Sequence, residues 1–202
     1  MIDRIELSTS DGETLEARWD RGENPSGAVV FCHPHPQQGG TMMAPLMVGV
    51  TTRLVERGFS VLRFNFRGIG ASTGTHDNGK GELLDVAAAI EAARDTGMAI
   101  HLSGWSFGAG TALRWLGGQQ DSIPYAGIAP SPADLPYDLP PGPKRIVVGT
   151  RDQVVDIEAI RDYAERLSID LLLTPGDHFF HGRGKKIGDL VAQGFESASN
   201  PA

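Results

Sequence analysis

The chain has 202 residues, of which 40% are hydrophobic, and carries a formal net charge of -7 at pH 7. This length supports one full hydrophobic core and is short for two, so we predict a single domain over residues 1–202. An acidic chain does not offer the clustered lysine and arginine that a nucleic-acid surface needs. The first twenty residues mix charged and apolar side chains, and no apolar run approaches bilayer length. We therefore expect a cytoplasmic protein with neither a nucleic-acid nor a membrane partner, and self-association stays open.

Cofactor and metal motifs are missing from the sequence. Cys32 is the only cysteine and lies in an apolar run, which predicts a buried, unreactive thiol and excludes an internal disulfide. His33 and His35 lie close together, but no carboxylate or cysteine cluster accompanies them as metal ligands. The glycine-rich loops lack both the P-loop lysine and the dinucleotide fingerprint. We predict no cofactor and no metal.

The predicted elements alternate between strand and helix after an initial hairpin. Alternating apolar and polar residues around Asp11-Gly12 predict two antiparallel edge strands over 2–8 and 13–19. Short apolar runs predict the later strands, and apolar residues at a 3.6-residue period predict the helices. The later strands are predicted at 28–32, 61–66, 99–102, 125–129, 145–149 and 170–173, and the helices at 44–57, 82–95, from the turn at residue 106 to 115, 155–167 and 185–195. This order predicts an α/β fold, with a mostly parallel eight-stranded sheet and helices on both faces.

One segment interrupts the alternation. Residues 130–143 contain six prolines in fourteen positions, where another crossover helix would fit the rhythm. Proline excludes a helix there, so we interpret the segment as a stiff connector. The segment is also too short to hold an inserted cap domain.

The pentapeptide Gly104-Trp105-Ser106-Phe107-Gly108 joins a predicted strand to a predicted helix. A serine at such a sharp turn has its hydroxyl exposed above the sheet, and the flanking glycines remove Cβ atoms that would collide. The pattern therefore makes Ser106 a candidate nucleophile.

A serine hydroxyl needs a base to take its proton, and that base needs an acid to hold its tautomer. His178 and His181 lie in the loop after the last predicted strand, and the position of His178 favours it as the base. His181 is then a supporting or solvated group. Asp152 and Asp156 follow the preceding strand, and aspartate at position 156 also suits a helix N-cap. The residues favour Asp152 and leave Asp156 as its competitor.

Acyl transfer also needs two N–H donors for the developing oxyanion. Phe107, directly after the serine, supplies the first. The second is expected from the loop at 33–40, where Pro34 and Pro36 have no N–H and His35 is the nearest donor.

Two methionines follow this loop at the start of the first crossover helix. Flexible thioethers accommodate varied apolar groups, so Met42 and Met43 are predicted to line an acyl pocket. Ordinary core packing is the alternative for both.

The order serine, acid, histidine is typical of the α/β-hydrolases, and the chain resembles them over nearly its whole length. More closely, it resembles a group of small, lidless bacterial members known mostly as predicted serine hydrolases. The segments that carry this resemblance are HPHPQQGGTM, RFNFRGIGASTG, GWSFG, GTRDQVV and PGDHFFHGR. The resemblance implies that Ser106 is the nucleophile, Asp152 the acid and His178 the base, with Phe107 and the loop near His35 forming the oxyanion hole.

The expected reaction is hydrolysis of carboxylic esters with small to medium acyl groups, through a Ser106 acyl-enzyme in an exposed cleft. The expected partner is a small-molecule ester or thioester. The alternative enzymatic function is that of an acyl-thioesterase or a peptidase with the same triad. The alternative non-enzymatic function is that of a binding protein that keeps the hydrolase fold but does not turn over a substrate.

Overall fold

A computed structural model of the protein describes residues 2–132 and 134–196. Residues 1 and 197–202, at the limits of the predicted domain, lie outside the described residues. The strands are β1 (Ile2–Ser8), β2 (Thr14–Asp20), β3 (Gly27–Cys32), β4 (Phe59–Phe64), β5 (Ile100–Trp105), β6 (Tyr125–Ile128), β7 (Lys144–Gly149) and β8 (Asp170–Thr174). The helices are α1 (Pro45–Glu56), α2 (Gly81–Arg94), α3 (Phe107–Gly117), α4 (Ile157–Arg166) and α5 (Gly184–Glu196), with one 3-10 turn at Pro36–Gln38.

The eight strands form one sheet in the order β1-β2-β4-β3-β5-β6-β7-β8. β1 pairs with β2, and β2 with β4, in antiparallel orientation, and every later pairing is parallel. The predicted α/β fold with an antiparallel N-terminal hairpin is confirmed. One detail of the prediction is wrong, because β2 is an interior strand: Ala17 pairs with Phe64 of β4, so β1 alone closes this side of the sheet.

The sheet is buried between two layers of helices. β3 and β4 are buried at every residue, as expected for central strands of a parallel sheet. α1 packs against α5 in one layer, and α2 packs against α3 in the other. Burial raises the pKa of the Cys32 thiol well above its usual range, which keeps the sulfur protonated and unreactive.

The proline-rich segment forms no helix within its described residues, 130–132 and 134–143. Leu135 and Leu139 pack against the core, so the segment lies on the body of the protein. No cap domain covers the sheet in the part of the chain that the structure describes. None of the described helices is both long enough and apolar enough to cross a membrane.

Candidate active site

Four loops meet at one edge of the sheet. β3, β5, β7 and β8 run parallel, so their carboxyl ends lie at the same edge. The loops that follow these strands contain the candidate residues proposed from the sequence.

The turn after β5 has the geometry of a nucleophile elbow. Ser106 has φ 56 and ψ -118, a strained conformation for a residue with a side chain. Its backbone N–H donates to the Ile128 carbonyl at 2.8 Å, which fixes the turn to β6. A Cβ on Gly104 would lie 2.5 Å from the Ala109 nitrogen, and one on Gly108 would lie 2.3 Å from the His33 carbonyl oxygen. Glycine is therefore required on both sides, and the Ser106 side chain stays partly exposed.

His178 and Asp152 form a buried pair. His178 Nδ1 lies 2.8 Å from Asp152 Oδ2. The other oxygen, Asp152 Oδ1, accepts from the backbone N–H groups of Val154 at 2.8 Å and Val155 at 3.1 Å. A carboxylate held in this way accepts a hydrogen bond from Nδ1–H, so the neutral imidazole keeps its proton on Nδ1 and has a free lone pair on Nε2. This is the tautomer that a general base for serine requires.

The two alternative candidates, Asp156 and His181, lie outside this pair. Asp156 caps α4, where its Oδ1 accepts from the backbone N–H groups of Glu158 and Ala159 at 3.0 and 3.2 Å. His181 is exposed, and its ring lies 5.6 Å from that of Phe179. The structure thus joins Asp152 to His178 and leaves Asp156 and His181 out of the pair.

Trp105 ties the histidine loop to the elbow. Its indole Nε1 donates to the His178 carbonyl at 3.2 Å, and the two rings lie 6.0 Å apart. Because Trp105 directly precedes Ser106, this bond ties the His178 loop to the residue next to the serine. Within residues 2–132 and 134–196, Ser106 Oγ has no hydrogen-bond partner. Catalytic hydrogen bonds are often loose without substrate and tighten in the bound complex.

The loop after β3 is held by the buried side chain of His33. The Phe66 backbone N–H donates to its Nε2 at 3.0 Å, so Nδ1 carries the proton and donates to the Pro34 carbonyl at 2.6 Å. Burial lowers the pKa of His33 to about 4, which keeps the ring neutral. This histidine positions the loop and has no access to a metal or a substrate.

The two predicted oxyanion donors lie on facing segments of the site. The rings of His35 and Phe107 lie 5.1 Å apart, and both residues line the cavity that contains Ser106. Phe107 is the first residue of α3, where a backbone N–H has no helical acceptor. Neither N–H meets a protein acceptor in the described part of the chain. Both residues therefore lie at the Ser106 cavity.

A second aromatic contact here has no sequence signal. The His76 ring lies 5.5 Å from Phe107 and 5.2 Å from His35, and its Nδ1 is 2.6 Å from the buried carboxylate of Glu82. Its loop has the composition of an ordinary glycine-rich connection, so only the tertiary fold brings His76 to the oxyanion segments. The His76 ring packs against the rings of both His35 and Phe107.

The cavity at Ser106 has a volume of about 270 Å³. Several lining residues come from α3, where Gly110, Thr111 and Arg114 lie three, four and seven residues after Phe107 and share its face. This spacing from Phe107 is helical, and that signal could have identified them from the sequence. The remaining lining residues are Gln38, Asn78, Ser131, Asp134, Val154 and Val155.

The two methionines lie elsewhere. Met42 and Met43 line a separate cavity of about 600 Å³ over the N-terminal hairpin, and they are not among the residues that line the Ser106 cavity. The Met42 N–H donates to Asn65 Oδ1 at 2.9 Å, and its carbonyl accepts from Arg63 Nη1 at 2.6 Å. These bonds draw the segment toward the end of β4 and away from β5. The structure therefore does not bring the predicted acyl-pocket methionines to the serine.

Comparison with known proteins places this arrangement in a family. No family model matches the chain. An uncharacterised protein of Rickettsia prowazekii (strain Madrid E) is 31% identical over 195 residues, which cover 88% of this chain and 82% of that protein. Among solved structures, an alpha-beta serine hydrolase homologue from Coxiella burnetii is 30% identical with a TM-score of 0.83, covering 95% of this chain and 96% of that one.

A serine hydrolase without a lid from Xanthomonas campestris is 27% identical with a TM-score of 0.85, covering 100% of this chain and 97% of that one. The similarity to the Xanthomonas campestris protein covers the whole chain, so it includes the sheet, the elbow and the histidine loop. This chain therefore belongs to the α/β-hydrolase superfamily of hydrolytic enzymes.

Proposed function

We propose that the protein is a serine hydrolase that cleaves carboxylic ester bonds of small to medium acyl substrates through a Ser106 acyl-enzyme. The observation that carries this proposal is the Asp152–His178 pair at 2.8 Å, fastened by Trp105 to the elbow that exposes Ser106. The pair supplies a base of the correct tautomer, and the strained turn supplies a hydroxyl with no competing partner.

The proposed reaction uses these groups in order. His178 Nε2 takes the proton of Ser106 as Oγ attacks the ester carbonyl carbon. The carbonyl oxygen becomes negative and accepts hydrogen bonds from the N–H groups of Phe107 and His35, each worth roughly 3 to 4 kcal/mol at the transition state. Collapse of this intermediate releases the alcohol, which receives the proton from His178. Water then attacks the acyl-enzyme with His178 again as base, which frees the acid and restores Ser106.

Labelling with a fluorophosphonate probe tests the nucleophile. We expect the native protein to form a covalent adduct that maps to the peptide containing Ser106, and Ser106→Ala to form none. Ser131→Ala is the matched control, because Ser131 lines the same cavity and its removal should leave the adduct on Ser106. A native protein that never labels, or an adduct that persists in Ser106→Ala, contradicts the proposal.

A matched substrate panel tests the bond that is cleaved. Butyrate presented as an ester, a thioester and an amide gives three values of kcat/KM on one acyl group. We expect the ester to have the highest value relative to its spontaneous hydrolysis. A higher value for the thioester or amide would replace this function by that of a thioesterase or peptidase. Ligand binding that survives Ser106→Ala, with no turnover by the native protein, would identify a binding protein.

A further inference from the structure

The Ser106 cavity contains a cation with few partners. Arg114 lines the cavity and is partly buried. Its Nη2 donates to Thr111 Oγ1 at 3.1 Å, and within residues 2–132 and 134–196 it forms no ion pair. A guanidinium has five N–H donors, and a partly buried one is stabilised by a carboxylate or phosphate in bidentate contact. Arg114 is therefore short of acceptors on the side that faces the cavity.

The position of Arg114 on α3 relates it to the scissile bond. It lies eight residues after Ser106, a helical rise of about 12 Å. Long helical side chains point back toward the N-terminus, and the contact with Thr111, three residues earlier, shows that Arg114 does so. The guanidinium then lies roughly 6 to 10 Å from the serine hydroxyl. That distance corresponds to a substrate anion about four to six bonds from the carbonyl carbon.

The surroundings of the guanidinium leave room for such a group. It lies against Gly79, where a Cβ would come within 2.1 Å of Nη2. Gln38 and Asn78, also on the cavity wall, are neutral hydrogen-bonding residues. Asp134 is the one carboxylate among the lining residues, but it is exposed to solvent, which screens its charge. Burial lowers the pKa of His35, so that ring contributes no competing positive charge near pH 7.

We propose that Arg114 is a specificity-determining residue, and that the preferred esters carry a carboxylate or similar anion about four to six bonds from the scissile carbonyl. This inference rests on the proposed ester hydrolysis and deepens it. The anion pairs with Arg114, and the charge-assisted bond orients the carbonyl toward Ser106 and the Phe107 N–H. The anion belongs either to the acyl part or to the alcohol part.

Two pairs of substrates test the proposal and distinguish these sources. The acyl pair is the 4-nitrophenyl monoester of adipic acid with a free carboxylate and the same ester with a primary amide in its place. The alcohol pair is 4-carboxyphenyl butyrate and 4-carbamoylphenyl butyrate. The measured quantity is the ratio of kcat/KM for the acid to that for the amide, because this ratio cancels effects common to both substrates.

We expect Arg114→Gln to lower this ratio by about ten- to a hundredfold in one pair, the usual effect of losing a charge-assisted contact. Arg114→Lys should retain part of the preference, since it keeps the charge without the planar fork. Arg94→Gln is the matched control: it removes the same charge from an exposed pair with Asp121, and it should leave the ratio unchanged.

Three results would overturn the inference: no preference for the acid in the native protein, an unchanged ratio in Arg114→Gln, or an equal fall in Arg94→Gln. If no ester is hydrolysed at all, the proposed function fails first. Calorimetric binding of adipamic acid and of its uncharged diamide to the Ser106→Ala protein then tests Arg114 without chemistry. Tighter binding of the acid, abolished by adding Arg114→Gln, supports the anion site, and equal binding overturns it.

Discussion

Two polar clusters lie at the same edge of the sheet and differ in how fully their atoms are paired. The first, here called the arginine clamp, consists of Arg67, Asp11 and Asp85. Arg67 Nη1 donates to Asp11 Oδ2 at 2.8 Å, Nη2 to Asp85 Oδ1 at 2.7 Å, and the Arg67 backbone N–H to Asp85 Oδ2 at 2.9 Å. Burial raises the pKa of Asp85, and its hydrogen bonds to Arg67 act in the opposite direction. The Asp85 side chain is fully enclosed. Every charge in the clamp therefore has a partner within the protein.

The second cluster, here called the serine cluster, consists of Ser106, His178 and Asp152. Asp152 is fully paired, but Ser106 Oγ and the N–H of Phe107 have no acceptor or donor among the described residues. Unpaired groups are unfavourable for folding and are retained where a substrate completes them. The presence of charged residues at this edge of the sheet is therefore a poor indicator of a reactive site. Incomplete hydrogen bonding is the better guide, and the substitutions Asp152→Asn and Arg67→Met test that statement.

Asp152→Asn has the largest expected effect, on catalysis and not on folding. The asparagine Oδ1 can still accept from Val154 and Val155, but its amide N–H₂ now faces His178 Nδ1. The ring must then accept at Nδ1 and carry its proton on Nε2, which cannot receive the Ser106 proton. We expect kcat for an activated ester to fall by about 10³- to 10⁴-fold. Chemical denaturation should show little change in stability, and a loss of stability that explains the lost activity would contradict this division of roles.

Arg67→Met has the next largest effect, on stability. It leaves the enclosed Asp85 carboxylate without its cation, and removing one partner of a buried pair destabilises by about 3 to 5 kcal/mol. Arg94→Met is the matched control, because the exposed pair with Asp121 contributes at most about 1 kcal/mol. Urea unfolding measures both. Equal losses for the two variants would show that the clamp is no more than a surface pair.

The pH dependence of stability is the smallest effect and concerns His33. Burial lowers its pKa from 6.5 to about 4, so between these values the unfolded state binds the proton and the folded state does not. Stability must therefore rise with pH across this window and fall as the pH drops from 6.5 to 4, by roughly 3 kcal/mol for this residue. Urea unfolding of the native protein and of His33→Gln at pH 4.5, 5.5 and 6.5 measures the difference. Parallel pH dependences would exclude His33 as the source.

Local sequence patterns predict most of the secondary structure of this fold. The hairpin at Asp11-Gly12, the apolar strands and the glycine-flanked serine depend on backbone conformation and on hydrophobic period, which neighbouring residues encode. The bounds of β1 match the predicted ones, and the ends of the other strands differ from prediction by at most three residues. The interior position of β2 was missed because its pairing with β4 depends on a segment 41 to 47 positions away in the chain.

The sequence by itself determined the alternation of elements, the elbow at Ser106 and the short set of acids and bases that could serve it. Tertiary structure alone decided among them: it joined Asp152 to His178, used Asp156 as a helix cap and left His181 exposed. It also turned the methionine segment toward β4 and brought Arg114 into the cavity of the serine. The physical reason is that secondary structure follows from nearby residues, whereas a site is a set of distances between segments that only the packed sheet brings together.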